Sequence, residues 1–220
     1  MAHTSLLLLI ALLCLLAARC YSVLPCFKRT VRQTPLQKHR PQETCSLCVI
    51  LGSGGHTTEM LRMMKTLPPR FTRRHYVVAE SDLGSKGKAI AFETSRGAEQ
   101  GIDYFIEMIP RARQVHQSYL TTPISFLRAS VASLGLLHRI RPSLILSNGP
   151  GTALPVLLLA FLPRIVMGAS FGPRLIYVES WARVRTLSLT GKLSWWFVDR
   201  FLVQWPFEGL KGVEFIGRVV

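Results

Sequence analysis

The chain has 220 residues, of which 49% are hydrophobic and only 18% charged. This excludes an extended disordered protein and leaves room for one ordinary domain with an extension. A formal charge of +15 points to anionic partners: nucleic acid, an anionic membrane surface or a phosphorylated ligand. Most basic residues are scattered, with no aromatic interleaving and no zinc-finger or RNP-type pattern, which argues against nucleic acid.

The first element is apolar. Residues 5–18 read SLLLLIALLCLLAA, fourteen residues without a charge. A membrane span needs about 17–25. Arg19 interrupts, and weaker apolar character resumes through Tyr21, Val23, Leu24 and Phe27. If Arg19 snorkels to the headgroups, residues 5–24 cross a thin bilayer. The alternative is a cleaved signal peptide, with Ala17 and Ala18 as small residues near the cut. Against it, no Lys or Arg precedes the run, whereas Arg19, Lys28, Arg29, Arg32, Lys38 and Arg40 follow it. That asymmetry places the body on the cytosolic side. The single asparagine, Asn148, lies in Asn-Gly-Pro, so no glycosylation sequon marks the body as lumenal. Residues 1–27 are therefore read as a membrane anchor. Residues 28–44, basic and carrying Pro35 and Pro41, are read as a juxtamembrane linker. Each cation there is worth about 1 kcal/mol near anionic lipid.

All five cysteines (Cys14, Cys20, Cys26, Cys45, Cys48) lie in the first 48 residues, which is not the pattern of a secreted disulfide scaffold. Cys45-x-x-Cys48 has redox spacing, but it runs into a strand instead of opening a helix, so two reduced thiols are the plainer reading.

The folded body spans 45–220. Apolar runs predict strands at 47–51, 75–79, 104–109, 144–147, 175–178 and 200–203, with a short last strand at 213–216. Helical spacing predicts helices at 57–67, 124–139, 153–162 and about 192–198. Strands alternating with helices imply a Rossmann-like α/β domain built on a parallel sheet. Ligands on such sheets bind beyond the carboxyl ends of the strands, so the polar residues there are the candidates.

After the first strand comes Gly52-Ser53-Gly54-Gly55-His56-Thr57, opening a helix. Glycines allow a tight turn and close approach of a phosphate, and the helix N-terminus offers free N–H groups. The pattern is neither G-x-G-x-x-G nor a P-loop, and a plain strand–helix turn is the alternative. His56 could act as base or phosphate donor. Glu80 and Asp82 follow the second strand, where an acid often meets a ribose. Arg111 and Arg113 follow the third and suit an anion. Asn148, Gly149 and Gly151 follow the fourth, and Glu179 and Ser180 the fifth. These loops converge on one rim, either a ligand site or the scaffold of a non-catalytic subunit. No metal-ligand pattern is read.

Together GSGGHTTE (52–59), HYVVA (75–79) with Asp82, IPRAR (109–113), SNGPGT (147–152), YVES (177–180), LSLTG (187–191) and VQWP (203–206) resemble one family. It is the membrane-anchoring subunit of the two-chain UDP-N-acetylglucosamine transferase of dolichol-linked oligosaccharide assembly. The resemblance covers about 46–220. It implies the N-terminal half of a GT-B fold, on the cytosolic face of the endoplasmic reticulum. The reaction implied is transfer of a second N-acetylglucosamine onto N-acetylglucosaminyl-diphospho-dolichol. It further implies that a soluble catalytic subunit binds the donor UDP-N-acetylglucosamine, that this chain binds no cofactor of its own, and that the chain is inactive alone. The family's C-terminal end docks that subunit, here Val213, Phe215, Ile216, Val219 and Val220. The glycine loop also resembles that of the bacterial enzyme adding N-acetylglucosamine to lipid I, which makes His56 the candidate base and 52–57 the candidate diphosphate loop. The domain count agrees independently. A complete GT-B enzyme needs two Rossmann domains of roughly 150 residues each, and 45–220 supplies one. A self-sufficient lipid-linked transferase and a scaffold without a site are the competing readings.

Overall fold

The computed structural model describes residues 2–27, 44–114, 117–118 and 120–218. The linker call, Thr44 excepted, and the docking calls on Val219 and Val220 therefore lie outside the described residues.

The strands are β1 (Ser46–Ile50), β2 (Arg73–Ala79), β3 (Tyr104–Ile109), β4 (Leu144–Ser147), β5 (Arg174–Val178), β6 (Arg200–Val203) and β7 (Val213–Phe215). They form one parallel sheet in the order β3-β2-β1-β4-β5-β6-β7. From β1 the chain first builds outward through β2 and β3, then crosses back to β4 on the other side. Loops leaving β1 and β4 thus part in opposite directions and open a crevice between them.

Periodicity explains the two cores. Successive strand residues face opposite ways. Leu47, Val49 and Leu51 pack with Met60 and Met64 under one layer of helices. Cys48 and Ile50 pack with Val156, Leu157, Tyr177 and Phe201 on the other face. Cys48 is wholly buried, and burial, with the charge of Glu107 behind it, pushes its thiol up to about 12. Cys45 is buried too, and neither cysteine is in a disulfide.

The helices are α1 (Ala2–Val23), α2 (Gly55–Met64), α3 (Leu83–Thr94), α4 (Thr122–Ile140), α5 (Ala153–Phe161), α6 (Pro163–Met167) and α7 (Leu189–Ser194). Two of these, α3 and α6, are absent from the helices expected above. The helix expected at 192–198 instead starts three residues earlier, because the Ser188 hydroxyl caps it by accepting from Gly191 N–H at 2.9 Å. Along α4, Ala129, Ser133 and Leu136 face the core. Its opposite face exposes Ile124, Leu127, Val131 and Leu134.

Among the described residues one helix, α1, is long and apolar enough to cross a membrane. It runs unbroken through Arg19. That side chain does not hang free: its Nε donates to Ile165 O at 2.7 Å and its Nη2 to Val166 O at 3.2 Å, at the C-terminal end of α6. Val23 joins the core that holds Phe161 and Phe197, and Cys26 is also buried. The last turn of the expected anchor segment is thus part of the body.

Two buried ion pairs pin helices to the sheet. Arg74 on β2 donates from Nε and Nη2 to the two carboxylate oxygens of Glu93 on α3, at 2.7 and 2.9 Å, and the Tyr76 hydroxyl also donates to Glu93. Arg164 on α6 donates to both oxygens of Asp199, at 2.8 Å each, just ahead of β6. Removing one member of such a pair strands a buried charge. Arg74→Met should therefore lower unfolding free energy by about 3–5 kcal/mol in a denaturant titration of the detergent-solubilised chain. A loss under about 1 kcal/mol would show that Glu93 finds water or another cation.

Candidate active site

Beyond the carboxyl ends of β1 and β4 lies a cleft of about 210 Å³. It is lined by Gly52, Ser53, His56, Asp82, Arg111, Arg113, Gly149 and Gly151 from the expected set, together with Leu51, Ala79, Pro150 and Thr152. Loops after four strands thus meet at the crevice that the strand order creates.

Glycine is needed at two points. At Gly52 a Cβ would lie 2.8 Å from Pro150 Cβ and 2.9 Å from His56 Cβ, so the β1 and β4 loops touch only because Gly52 lacks one. Gly54 has φ +65°, the left-handed region, and stands at the N-terminus of α2. No side chain caps α2 there, so its first N–H groups are left for a ligand or solvent. Arg111, half-buried, and Arg113, exposed, bring positive charge to the same cleft. Arg113 also donates to Gln117 O at 3.0 Å. The start of α2, through Ser53 and His56, and two guanidinium groups thus border one cleft, an arrangement whose charge suits an anion.

His56 lines this cleft. Its Nδ1 is buried and has no hydrogen-bond partner among the described residues, so no carboxylate orients the ring as in a base–orienter pair. The ring packs against Gly149, and the backbone carbonyl of His56 accepts from Asn148 Nδ2 at 2.7 Å.

Several expected site residues sit behind the rim. Thr57 is fully buried, its hydroxyl against Gly52 O and 2.7 Å from Ser85 Oγ. Asn148, Glu179 and Ser180 are also buried, and Gly54, Gly55 and Glu80 are exposed outside the lining. Asp82 lines the cleft and also caps α3, accepting from Ser85 N at 3.1 Å and Ser85 Oγ at 2.7 Å. Glu179 accepts at one oxygen from the backbone N–H and the hydroxyl of Ser188, at 3.0 and 3.1 Å, which fixes the start of α7. Burial pushes its carboxyl above the usual range, against the pull of those hydrogen bonds.

The residue that organises the rim is Glu59, which the sequence reading quotes only as part of the glycine-loop motif. It is 2% exposed. It accepts from Trp181 N–H at 2.9 Å, Ser180 Oγ at 3.0 Å, Asn148 Nδ2 at 3.4 Å, and Gln204 Nε2. The exits of β4, β5 and β6 are tied to α2 through this one carboxylate. The signal for it was present: a polar residue follows each of those strands, and three such groups buried together require a shared acceptor.

At the C-terminal end, β7 is an edge strand, with Phe215 and Ile216 exposed and Val213 half-buried. Among the described residues no group of three or more His, Cys, Asp or Glu could hold a metal ion.

The fold is a Rossmann-like α/β domain on a seven-stranded parallel sheet and resembles one half of a GT-B fold. The crystal structure of Acinetobacter baumannii MurG superposes with a TM-score of 0.56 at 14% identity, over 78% of this chain and 45% of that one. At that identity the likeness concerns the fold alone, and this chain spans less than half of that protein. A family model described as "Oligosaccharide biosynthesis protein Alg14 like" matches residues 47–218, and the chain belongs to that family. Proteins named "UDP-N-acetylglucosamine transferase subunit ALG14" from Rattus norvegicus and Homo sapiens are each 40% identical over 189 residues, covering 82% of this chain and 85% of theirs. The protein of that name from Yarrowia lipolytica is 40% identical over 207 residues, covering 94% and 93%.

Two outcomes follow for the network behind the rim. Glu59→Ala removes the shared acceptor of four donors, three of them on buried side chains, and should cost about 3 kcal/mol of unfolding free energy. Glu59→Gln, which keeps one carbonyl oxygen, should fall between that variant and the wild type. If both variants unfold like the wild type, the carboxylate does not hold the rim. For Glu179 the raised carboxyl holds its proton more firmly folded than unfolded. Its contribution is therefore present below the ordinary carboxyl value of 4.5 and is lost as pH rises through the higher folded value. Stability measured against Glu179→Gln should fall from pH 4.5 upward, and a pH-independent difference would contradict the buried assignment.

Proposed function

We propose that this chain is the membrane-anchoring, acceptor-side subunit of a UDP-N-acetylglucosamine transferase. In this reading it adds the second N-acetylglucosamine to N-acetylglucosaminyl-diphospho-dolichol and recruits a soluble catalytic subunit to the cytosolic face of the endoplasmic reticulum. The observation that carries the reading is a single GT-B half-domain whose cleft joins an uncapped helix N-terminus to Arg111 and Arg113. Membership of a family whose relatives are named as transferase subunits supports it.

The roles follow from the geometry. The N–H groups at the start of α2, with Ser53, Arg111 and Arg113, hold the acceptor diphosphate. His56, on the lining of the same cleft, takes the proton from the acceptor hydroxyl as the donor's anomeric carbon is attacked. The donor nucleotide sugar sits on the partner, which closes the open side of the cleft. The exposed edge of β7, with Phe215 and Ile216, receives that partner, because an unpaired edge strand offers both hydrogen-bonding groups and apolar side chains.

The test is transferase activity of the purified chain with and without the catalytic subunit. Activity is expected only in the mixture. Turnover by the chain alone would establish a self-sufficient enzyme instead. In the complex His56→Ala should lower kcat by about 100-fold or more, with partner binding unchanged. Arg111→Ala should chiefly raise KM for the acceptor. If neither variant alters the rate of a complex that still forms, the chain is a scaffold.

A further inference from the structure

Residues 5–18 of α1 alone reach about 21 Å at 1.5 Å per residue, so the helix crosses a membrane only with Arg19 and the turn after it, as far as Val23, included. The hydrocarbon layer is about 27–30 Å thick. A free arginine would close the gap by snorkelling to the headgroups. Here that route is taken up, since the Arg19 guanidinium is bonded to Ile165 O and Val166 O at the end of α6. Cation and helix C-terminus satisfy each other, so the junction enters a less polar layer at lower cost than a bare charge.

Around that junction the body turns apolar side chains outward. Val166 is 82% exposed and Met167 62%, and Phe171 is also exposed. Tyr21 and Phe27 contact each other at 4.5 Å, and Phe27 meets Trp196 at 6.3 Å between ring centroids. All three of these aromatics are exposed as well. The α6 helix cannot rotate to hide Val166 and Met167, because Arg164 on its inner side is held by Asp199, Pro173 O and Phe171 O. The collar is continuous with α1 and lies where that helix leaves the bilayer. Tyrosine and tryptophan are the residues that settle at such an interface.

We propose that Tyr21, Phe27, Val166, Met167, Phe171 and Trp196 form a seat that sinks into the interfacial layer of the bilayer. The seat carries the junction around Arg19 into that layer and fixes the body rigidly on the membrane. This rests on the reading of α1 as a membrane span. The occupant is lipid, not a protein partner, because the surface adjoins the C-terminal end of α1, where that helix meets the body.

The test uses the full chain in phosphatidylcholine nanodiscs without any partner, treated with hydrogen peroxide and followed residue by residue for methionine sulfoxide. In water Met167, at 62% exposure, should oxidise faster than Met108, at 41% on the far edge strand β3. In nanodiscs the order should reverse, with Met167 severalfold slower. Val166→Glu, a change at an exposed position, should restore rapid Met167 oxidation while the chain stays in the membrane through a carbonate wash. Met167 oxidising as fast as Met108 in a carbonate-resistant chain overturns the seat and leaves the anchor standing. Protection that arises only on adding the catalytic subunit overturns it in favour of a protein contact. A chain that washes out with carbonate overturns the anchor itself, and the seat with it.

Discussion

The rim of this protein depends on one buried carboxylate. Parallel strands end in loops that have no reason to converge, since each leads to a different helix. Glu59 gives three of them a common partner, drawing Asn148, Ser180, the Trp181 N–H and Gln204 onto one side chain of α2. Because Glu59 lies one turn into α2, whatever holds the carboxylate also holds the helix N-terminus. Asn148 adds a second tie by donating to His56 O. The N-terminal end of α2 is therefore positioned from behind the cleft.

That division explains how much of the site the sequence discloses. The lining residues Gly52, Ser53, His56, Arg111 and Arg113 are legible because they follow apolar strands in local motifs whose turn chemistry is visible. The supports are not, because their partners are remote: Glu59 meets residues about 90 to 145 positions away. The same limit hides α3. Leu83–Thr94 carries Gly84 and Gly87, and only small Ala89 among its apolar residues is fully buried, so no hydrophobic stripe announces it. Its start is written in Asp82 and Ser85, a capping pair that reads equally well as a ribose-binding acid. Strand order was legible only as parallel pairing. The crossover from β3 back to β4, which makes the crevice, comes from packing.

One sheet also limits what the cleft can enclose. It is bounded by loops on the side of β1 to β4 and stands open beyond them. A transfer reaction needs its acceptor and donor shielded from water and held in line. In the proposed reading the described residues supply positive charge and backbone donors for one substrate, and the opposing wall that the other needs is not among them. In the proposed reading the partner adds that wall, which is why the rigidity of the rim matters: two separately folded chains must meet at a fixed geometry on every encounter.

The anchor places a second demand on the same architecture. Two arginines connect it to the sheet in series, Arg19 from α1 to α6 and Arg164 from α6 to Asp199 ahead of β6. The α6 helix lies at the amino edge of the sheet, whereas the cleft lies at the carboxyl edge. Helix α5 runs between them, leaving the rim at Ala153 and reaching α6 nine residues later, a length of about 14 Å. If α1 spans the bilayer, a diphosphate carried on a lipid must rise by about that helix length to reach Arg111 and Arg113, and some of its isoprenoid carbon must leave the membrane with it. Exposing that carbon to water costs about 25 cal/mol per Å². Helix α4, which packs beside α5, exposes Ile124, Leu127, Val131 and Leu134 on its outer face. In the proposed reading a rigid mount answers one constraint: a substrate tethered in two dimensions must meet a cleft set at a fixed height.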